Sequence, residues 1–433
     1  MDAPQAPSPH ATQAPDAGRT PPPRVWKFGG TSVGDLDRIR KVASRISREV
    51  EQGERLVVTV SAMGRTTDQL VRQARDLAPR PNRRELDALM ATGEQQSTAL
   101  LAIALHAIGV PARSFTGAQA GFRVSDLHGE ARILAVDPTR LLTTLDEVPV
   151  VIVAGFQGIT EGGDVATLGR GGSDTTAVAL AAALHAPTCE IFTDTDGIYT
   201  TDPHVIPTAT RLDEIDYEEM LELAQLGAKV LHPRSVWYAR RYGVHVHVRS
   251  SFTFQTGTLV RALPPQEATM KQENPVTGVA LDRNHARIDL VGVPDTPGVA
   301  ARIFAALGDA NVSVDMIIQG VPGANESRQQ MAFTVAEDLV ADAIEAVTPI
   351  LDEIGGTAEA RQDVAKLSIV GVAVGSTPGV AGRMFEAISK VGANIIMIAT
   401  SEVRISVVIP ADKGEEALAA VHEAFGLDAN GAA

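Results

Sequence analysis

The stretch "TPGVAARIFAALGDANVSVDMI", Thr296 to Ile317, recurs in register as "TPGVAGRMFEAISKVGANIIMI", Thr377 to Ile398. This duplication constrains the fold more than any other feature of the chain. Both copies must take one supersecondary shape, and because a single copy is too small to enclose a core, the two must pack together. Each copy follows a β-rich run, "ARIDLVGV" or "AKLSIVGVAV". Helical spacing then puts Val299, Ile303, Phe304 and Leu307 on one face in the first copy, and Val380, Met384, Phe385 and Ile388 in the second. With a second strand after each helix and the later runs "QMAFTVA" and "RISVVIP", the pattern predicts a ferredoxin-like βαββαβ unit for each copy.

Upstream the pattern changes. From Val25 to about Val260, short β-branched runs ("VWKF", "LVVTV", "VVIVAG", "CEIFTD") alternate with amphipathic helical stretches. That is the signature of an α/β domain with an open, largely parallel sheet covered by helices. The first helix is expected to start near Asp35, to turn Ile39, Val42, Ile46 and Val50 to the sheet, and to stop at Gly53. The polar, proline-containing "RALPPQEATMKQENPV" reads as an interdomain linker. The expected divisions are a Pro/Ala-rich tail over 1–24, the α/β domain over 25–261, the linker over 262–276, and repeated units over 277–361 and 362–433. A length of 433 residues suits such a multidomain chain.

Several function classes are disfavoured. A net charge of −15 opposes nonspecific binding to nucleic acid, which relies on cations against phosphates. No apolar run approaches the roughly 20 residues of a membrane span. Cys189 is the sole cysteine, so an intramolecular disulfide is excluded, as is a zinc site of the CxxC kind. With no signal-peptide core in the tail, a cytoplasmic location is expected.

The chemistry concentrates in glycine-rich loops. "KFGGTSVG" places Lys27 on a strand ahead of Gly29 and Gly30, unlike a Walker A loop or a dinucleotide fingerprint. "TLGRGGSDTTA" sets Arg170 among glycines, with Ser173 and Asp174 leading into a helix whose start favours anions. Each loop singly reads equally as a tight turn or as a phosphate cradle. Together they point to phosphoryl transfer, in which a protein mainly positions groups and stabilises spread negative charge. "FTDTDGIYTTDPH" adds hydroxyls and carboxylates at a strand's C-terminal end, where open α/β sheets bind ligands, and "LGAKVLHPRS" adds a lysine after a helix.

The ordered set "KFGGTSVG", "SAMGRTTDQL", "TGEQQS", "GFQG", "TLGRGGSDTTA", "FTDTDGIYTTDP" and "GAKVLHP" resembles the aspartokinases of the amino acid kinase superfamily. The duplicated C-terminal unit resembles that family's paired ACT domains. The resemblance implies phosphorylation of the L-aspartate side-chain carboxylate by ATP, with Mg²⁺ carried on the nucleotide phosphates. This is the entry step to lysine, threonine and methionine synthesis. It implies Lys27 and Asp174 as catalytic residues, and Ser61, Thr67, Glu94, Arg170 and Ser173 as the aspartate site. Glu94 would meet the substrate ammonium and Arg170 a carboxylate. It further implies Lys27, Gly29, Gly30, Ser32, Thr193, Asp194, Tyr199 and Lys229 as the nucleotide site. One departure is "TDPH", with His204 where many relatives carry an arginine, and His204 is therefore left out of the nucleotide site.

For the regulatory half the resemblance implies an amino acid effector, threonine or lysine, held by Asp295, Gly298, Ala300 and Gln319, with Asn394 and Ile395 contributed by the second copy of a partner subunit. The second copy has Ser376 where the first has Asp295, so it lacks the charge an ammonium needs. A homo-oligomer through the ACT domains follows. Met270 is a candidate internal start for a separate regulatory subunit in an α2β2 assembly. The competing readings are another amino acid kinase, such as a glutamate 5-kinase, and a catalytically silent amino acid sensor.

Overall fold

The structure, a computed structural model, describes residues 21–227, 230–264, 275–320 and 328–428. Its largest element is an eight-stranded sheet in the order Glu214–Ile215, Thr258–Val260, His245–Ser250, Thr188–Thr193, Arg24–Phe28, Leu56–Val60, Val150–Ala154, Ala112–Phe115. The central strands pair in parallel, with Lys27 opposite Thr59 on one side and Ile191 on the other. They read as continuous apolar runs because both faces are covered. On one face Trp26, Ile39, Ile46, Leu101 and Leu105 form a core, and on the other Ala177, Val178, Leu223 and Val236 do so. The first strand begins at Arg24, the last residue assigned to the tail, and residues 1–20 lie outside the described ones.

The first helix spans Leu36–Glu51, capped by the Asp35 side chain, which accepts from the Arg38 N–H. Ile39, Val42 and Ile46 are buried as expected. Arg45 is buried on the same side as well, donating to the carbonyls of Ser250 and Thr253 and lying 4.5 Å from the Phe192 ring centroid. Burial lowers its guanidinium to about 10.

Because the central strands run the same way, the loops after Phe28, Val60, Ala154 and Thr193 emerge at one edge. Strand order reverses between the first strand and Thr188–Thr193, where open sheets of this kind open a crevice. A small sheet of Ile133–Val136, Phe122–Val124, Gln157–Ile159 and Val165–Thr167 supplies a wall there.

The repeated units form two four-stranded sheets. The first has the order Ile317–Gln319, Arg328–Ala336, His285–Pro294, Thr357–Arg361, which with helices Val299–Asp309 and Val340–Ile354 gives the expected βαββαβ unit. The second departs from expectation. Its sheet is Gly278–Asp282, Val364–Val370, Arg404–Pro410, Met397–Thr400. Gly278–Asp282, assigned to the first unit by the 277–361 boundary, pairs antiparallel with Val364–Val370, the place that Thr357–Arg361 occupies in the first sheet. The reason is at the other end of the chain. After helix Gly414–Ala424 the backbone runs to Leu427 and Asp428, which attach to Thr210 and Ala209 of the α/β domain, so the missing edge strand is taken from before the first unit. The first unit is thus inserted into the second.

The two units pack through Met316, Ala332, Val364, Met397 and Val408. The second sits on helix Tyr217–Gln225 of the α/β domain. Glu219 there is fully buried, and its Oε1 accepts from Thr277 Oγ1 at 2.5 Å and from the Val372 N–H at 3.2 Å. Next to it Arg404 pairs with Glu222 at 3.2 Å and reaches Asp315 of the first unit at 3.8 Å, while Lys366 holds Asp315 at 2.6 Å. This charged chain runs from Asp315, just before the strand Ile317–Gln319, to the helix Tyr217–Gln225.

Candidate active site

The crevice is a cleft of about 2030 Å³ lined by Lys27, Ser61, Thr67, Glu94, Arg170, Ser173 and Asp174 among others. Lys27, the Asp174 helix start and every residue expected to meet aspartate therefore share one cavity. Local sequence explains how. Gly30 lets the first loop pass under the second, since a Cβ there would lie 2.8 Å from the Ala62 carbonyl oxygen. Gly93 does the same from the helix Arg83–Ala107, where an added Cβ would lie 2.9 Å from the Ala62 Cβ. Glycines in "KFGG" and "TGE" thus let strand end, loop and helix converge on "SAMG".

At the floor, Lys27 Nζ lies 2.5 Å from Asp174 Oδ1, both side chains being nearly buried. Asp174 is in the first turn of helix Gly172–Ala183, where N–H groups lack helical acceptors and negative charge is favoured. Gly171 caps that helix at φ 68°, and a Cβ there would fall 2.1 Å from the His232 ring, so both conformation and space call for glycine. Burial holds the His232 imidazole below its ordinary value.

Glu94 projects from a helix into the same cavity. Its Oε1 accepts the Ala62 N–H at 3.1 Å, while Oε2 is buried with no hydrogen-bond partner among the described residues. Burial pushes its carboxyl up to about 7. Such an acceptor suits a cationic group supplied by a ligand. Arg170 is exposed to the cleft with no ion-pair partner among the described residues. The site thus offers an open guanidinium for a carboxylate at one position and an open carboxylate for an ammonium at another.

Apart from Lys27, the expected nucleotide residues among those described do not line this cavity. Gly29 and Ser32 follow the first strand, where the Gly29 N–H donates to the Phe192 carbonyl and the Ser32 hydroxyl lies 2.5 Å from that of Ser251. Thr193 ends the neighbouring strand and donates to Asp194, and Tyr199 pairs with Arg211 in a short hairpin. Gly29 and Ser32 thus follow the strand that carries Lys27, and Thr193 and Asp194 lie at the end of the strand beside it, while Tyr199 lies in the separate hairpin. Lys229 lies outside the described residues. His204 is exposed in a turn where its N–H donates to Asp202. Cys189 is buried in the sheet, and burial raises its thiol far above the ordinary value, which removes it from reactive chemistry.

Asp295, Gly298 and Ala300 sit at the strand-to-helix turn of the first repeated unit, with Gly298 at φ 95°. Val293 and Gln319 pair with opposite sides of the strand Arg328–Ala336, at Gln329 and Met331, so these residues share one sheet end. Asn394 is exposed and Ile395 half-buried before the matching strand of the second unit.

Sequence reading missed several lining residues. Phe156 of "GFQG" adopts φ 71°, a costly conformation for a non-glycine residue, held by its N–H to Thr176 Oγ1 and its carbonyl to the Leu168 N–H. Arg234, inside the quoted "HPRS", donates to the Leu168 and Ala131 carbonyls. Trp237, Tyr238, Arg241 and Tyr242 of helix Pro233–Tyr242 form the outer wall. The aromatic spacing on that helix was the available signal.

The residues 23–250 match the model of the amino acid kinase family, and 288–349 with 367–425 match that of the ACT domain. The aspartokinase of Thermus thermophilus is 58% identical over 404 residues, covering 93% of this chain and 98% of that protein. E. coli aspartokinase III in complex with aspartate and ADP superposes with a TM-score of 0.76 at 29% identity, covering 93% and 99% of the two chains. The same enzyme with lysine and aspartate superposes at a TM-score of 0.70. With the family model matched over residues 23–250 and a relative 58% identical along nearly its whole length, this chain belongs to the aspartokinases of the amino acid kinase family.

Proposed function

We propose that the chain transfers the γ-phosphoryl group of ATP to the side-chain carboxylate of L-aspartate, with Lys27 and Asp174 at the point of transfer. The observation that carries this reading is the single cleft holding the Lys27–Asp174 pair, the buried open oxygen of Glu94 and the unpaired Arg170. The acceptor carboxylate, with an ordinary pKa of about 3.9, is already ionised, so no general base is required. The task is to bring two anions together. Glu94 takes the substrate ammonium, Arg170 takes the α-carboxylate, and Ser61, Thr67 and Ser173 fill the remaining polar contacts. This leaves the side-chain carboxylate aimed at Lys27, whose ammonium offsets the charge that builds on the phosphoryl oxygens. Asp174 holds that ammonium in place from the helix start.

Gly29, Gly30, Ser32, Thr193, Asp194, Tyr199 and Lys229 are assigned to the nucleotide. Among the described residues no group of three acidic, cysteine or histidine side chains is placed to hold a metal ion. Mg²⁺ is assigned to the phosphate oxygens of the nucleotide, where it neutralises charge. Incubation with ATP, Mg²⁺, L-aspartate and hydroxylamine is expected to yield aspartyl hydroxamate. A folded, effector-free protein that forms none would sink this reading.

The regulatory reading assigns an amino acid effector to Asp295, Gly298, Ala300 and Gln319, with Asn394 and Ile395 of a partner subunit, and so requires at least a homodimer. Met270, the candidate internal start, lies outside the described residues. Threonine or lysine is expected to suppress hydroxamate formation. Asp295→Ala should raise the inhibitory concentration at least about tenfold, the worth of one charge-assisted contact, while kcat without effector stays within about twofold. Full sensitivity in that variant would count against the site.

A further inference from the structure

Asp87 is an acidic side chain only 1% exposed, on the same helix as Glu94 and two turns before it. No part of the chemistry above uses it. Its Oδ1 accepts the Thr167 hydroxyl at 2.6 Å, and its Oδ2 accepts the Thr167 N–H at 3.0 Å and the Gly129 N–H at 2.9 Å. His128 Nδ1 lies 3.0 Å from the same Oδ2. One carboxylate thus collects three separate chain segments: the Glu94 helix, the loop carrying Gly129, Glu130 and Arg132 into the cleft, and the strand that ends three residues before Arg170. From the far side Arg234 closes the same ring, bridging the carbonyls of Leu168 and Ala131.

We propose that Asp87 is a positioning residue for aspartate: it fixes the distance between Glu94, which takes the ammonium, and Arg170, which takes the α-carboxylate. The inference rests on the proposed aspartate site and deepens it. Glu94 is anchored to Ala62 and Arg170 stands in a glycine loop with no ion pair among the described residues. The loop is tied at its entrance, on Thr167 by the hydrogen bonds to Asp87 and on Leu168 by those with Phe156 and Arg234, and of these ties the one on Asp87 reaches the Glu94 helix. Two groups that grip opposite ends of one small zwitterion are sensitive to their separation, and a displacement of about 1 Å costs on the order of a hundredfold in effective positioning. The nucleotide residues hang from other strand ends and should not feel it.

The test is steady-state kinetics of Asp87→Ala, Asp87→Asn and Thr167→Val, with aspartate and ATP varied separately. Asp87→Ala is expected to raise the KM for aspartate at least about tenfold with the KM for ATP within about twofold of the parent. Asp87→Asn keeps an acceptor for the two N–H groups and turns its amide toward the Thr167 hydroxyl, so it should recover most of the loss. Thr167→Val removes one bond and should shift the aspartate KM in the same direction by a smaller factor. Should Asp87→Ala fail to fold, Thr167→Val decides, with a rise in the aspartate KM of at least about threefold expected. An aspartate KM within twofold of the parent in folded Asp87→Ala, or in Thr167→Val where Asp87→Ala does not fold, or equal losses for both substrates, overturns the proposal. A parent protein without aspartate-dependent hydroxamate instead overturns the reading beneath it, so the two failures are distinct.

Discussion

Lys27→Ala is expected to lower kcat by at least about a thousandfold, the scale seen when a preorganised positive group is removed from charge that builds in a transition state. The residue sits on the central strand of a parallel sheet, 8% exposed, with its ammonium 2.5 Å from Asp174. Among the described residues no other lysine lines the cleft, and the arginines there stand on the walls. Removing the lysine has a second consequence, since Asp174 then becomes a nearly buried carboxylate without its cation. Breaking such a pair from one side costs about 3–5 kcal/mol where burial is complete, so part of the lost activity could come from unfolding. The double variant Lys27→Met with Asp174→Asn separates the two effects. It restores volume and removes the orphaned charge, so thermal stability should return toward that of the parent while turnover stays absent. Asp174→Ala alone should also lose turnover, because its lysine is then free to swing from the transfer point. Activity close to the parent in folded Lys27→Ala, measured as aspartyl hydroxamate, would remove Lys27 from the chemistry.

Where function was legible in the sequence, short-range necessity made it so. Gly30, Gly93 and Gly171 are at sites where a side chain would strike Ala62 or His232, so the residue types record the convergence of loops on the cleft. The repeat was legible because each copy must bury the same helix face, and Ile303, Leu307, Met384 and Ile388 are all buried. What stayed hidden depends on partners far along the chain. Asp87 stands among apolar neighbours on a helix, and only its contacts with Thr167 and Gly129 reveal why a carboxylate is there. Phe156 carries no sequence mark of its positive φ. The strand Gly278–Asp282 is short and apolar, and nothing in its residues tells which sheet edge it joins; the choice is made by the segment from His422 to Asp428, which docks on Thr200, Ala209 and Thr210 instead of adding a strand to this sheet.

Glu94→Gln is expected to raise the KM for aspartate about a hundredfold and to erase its dependence on pH near neutrality, the worth of a buried, charge-assisted contact to an ammonium. In the parent, burial holds the carboxyl at about 7, against an ordinary value near 4.5. The substrate ammonium pairs with the ionised form only. Therefore kcat/KM for aspartate should climb with pH up to about 7 and flatten above it, since that ratio reports ionisation in the free enzyme. The sign for stability is opposite. Below pH 4.5 the carboxyl is protonated in both folded and unfolded chains. Between 4.5 and 7 the unfolded chain ionises first, so the contribution of Glu94 to stability falls as pH rises and is lost above the folded value. Bound aspartate compensates the buried charge, so it should raise the melting temperature more at pH 8 than at pH 6. Glutamine has no charge to bury: without aspartate the variant should be at least as stable as the parent at pH 8, and added aspartate should shift its melting temperature equally at both pH values. A variant that keeps the parental aspartate KM, or keeps the rise of kcat/KM below pH 7, would assign that titration to another group and take the ammonium away from Glu94.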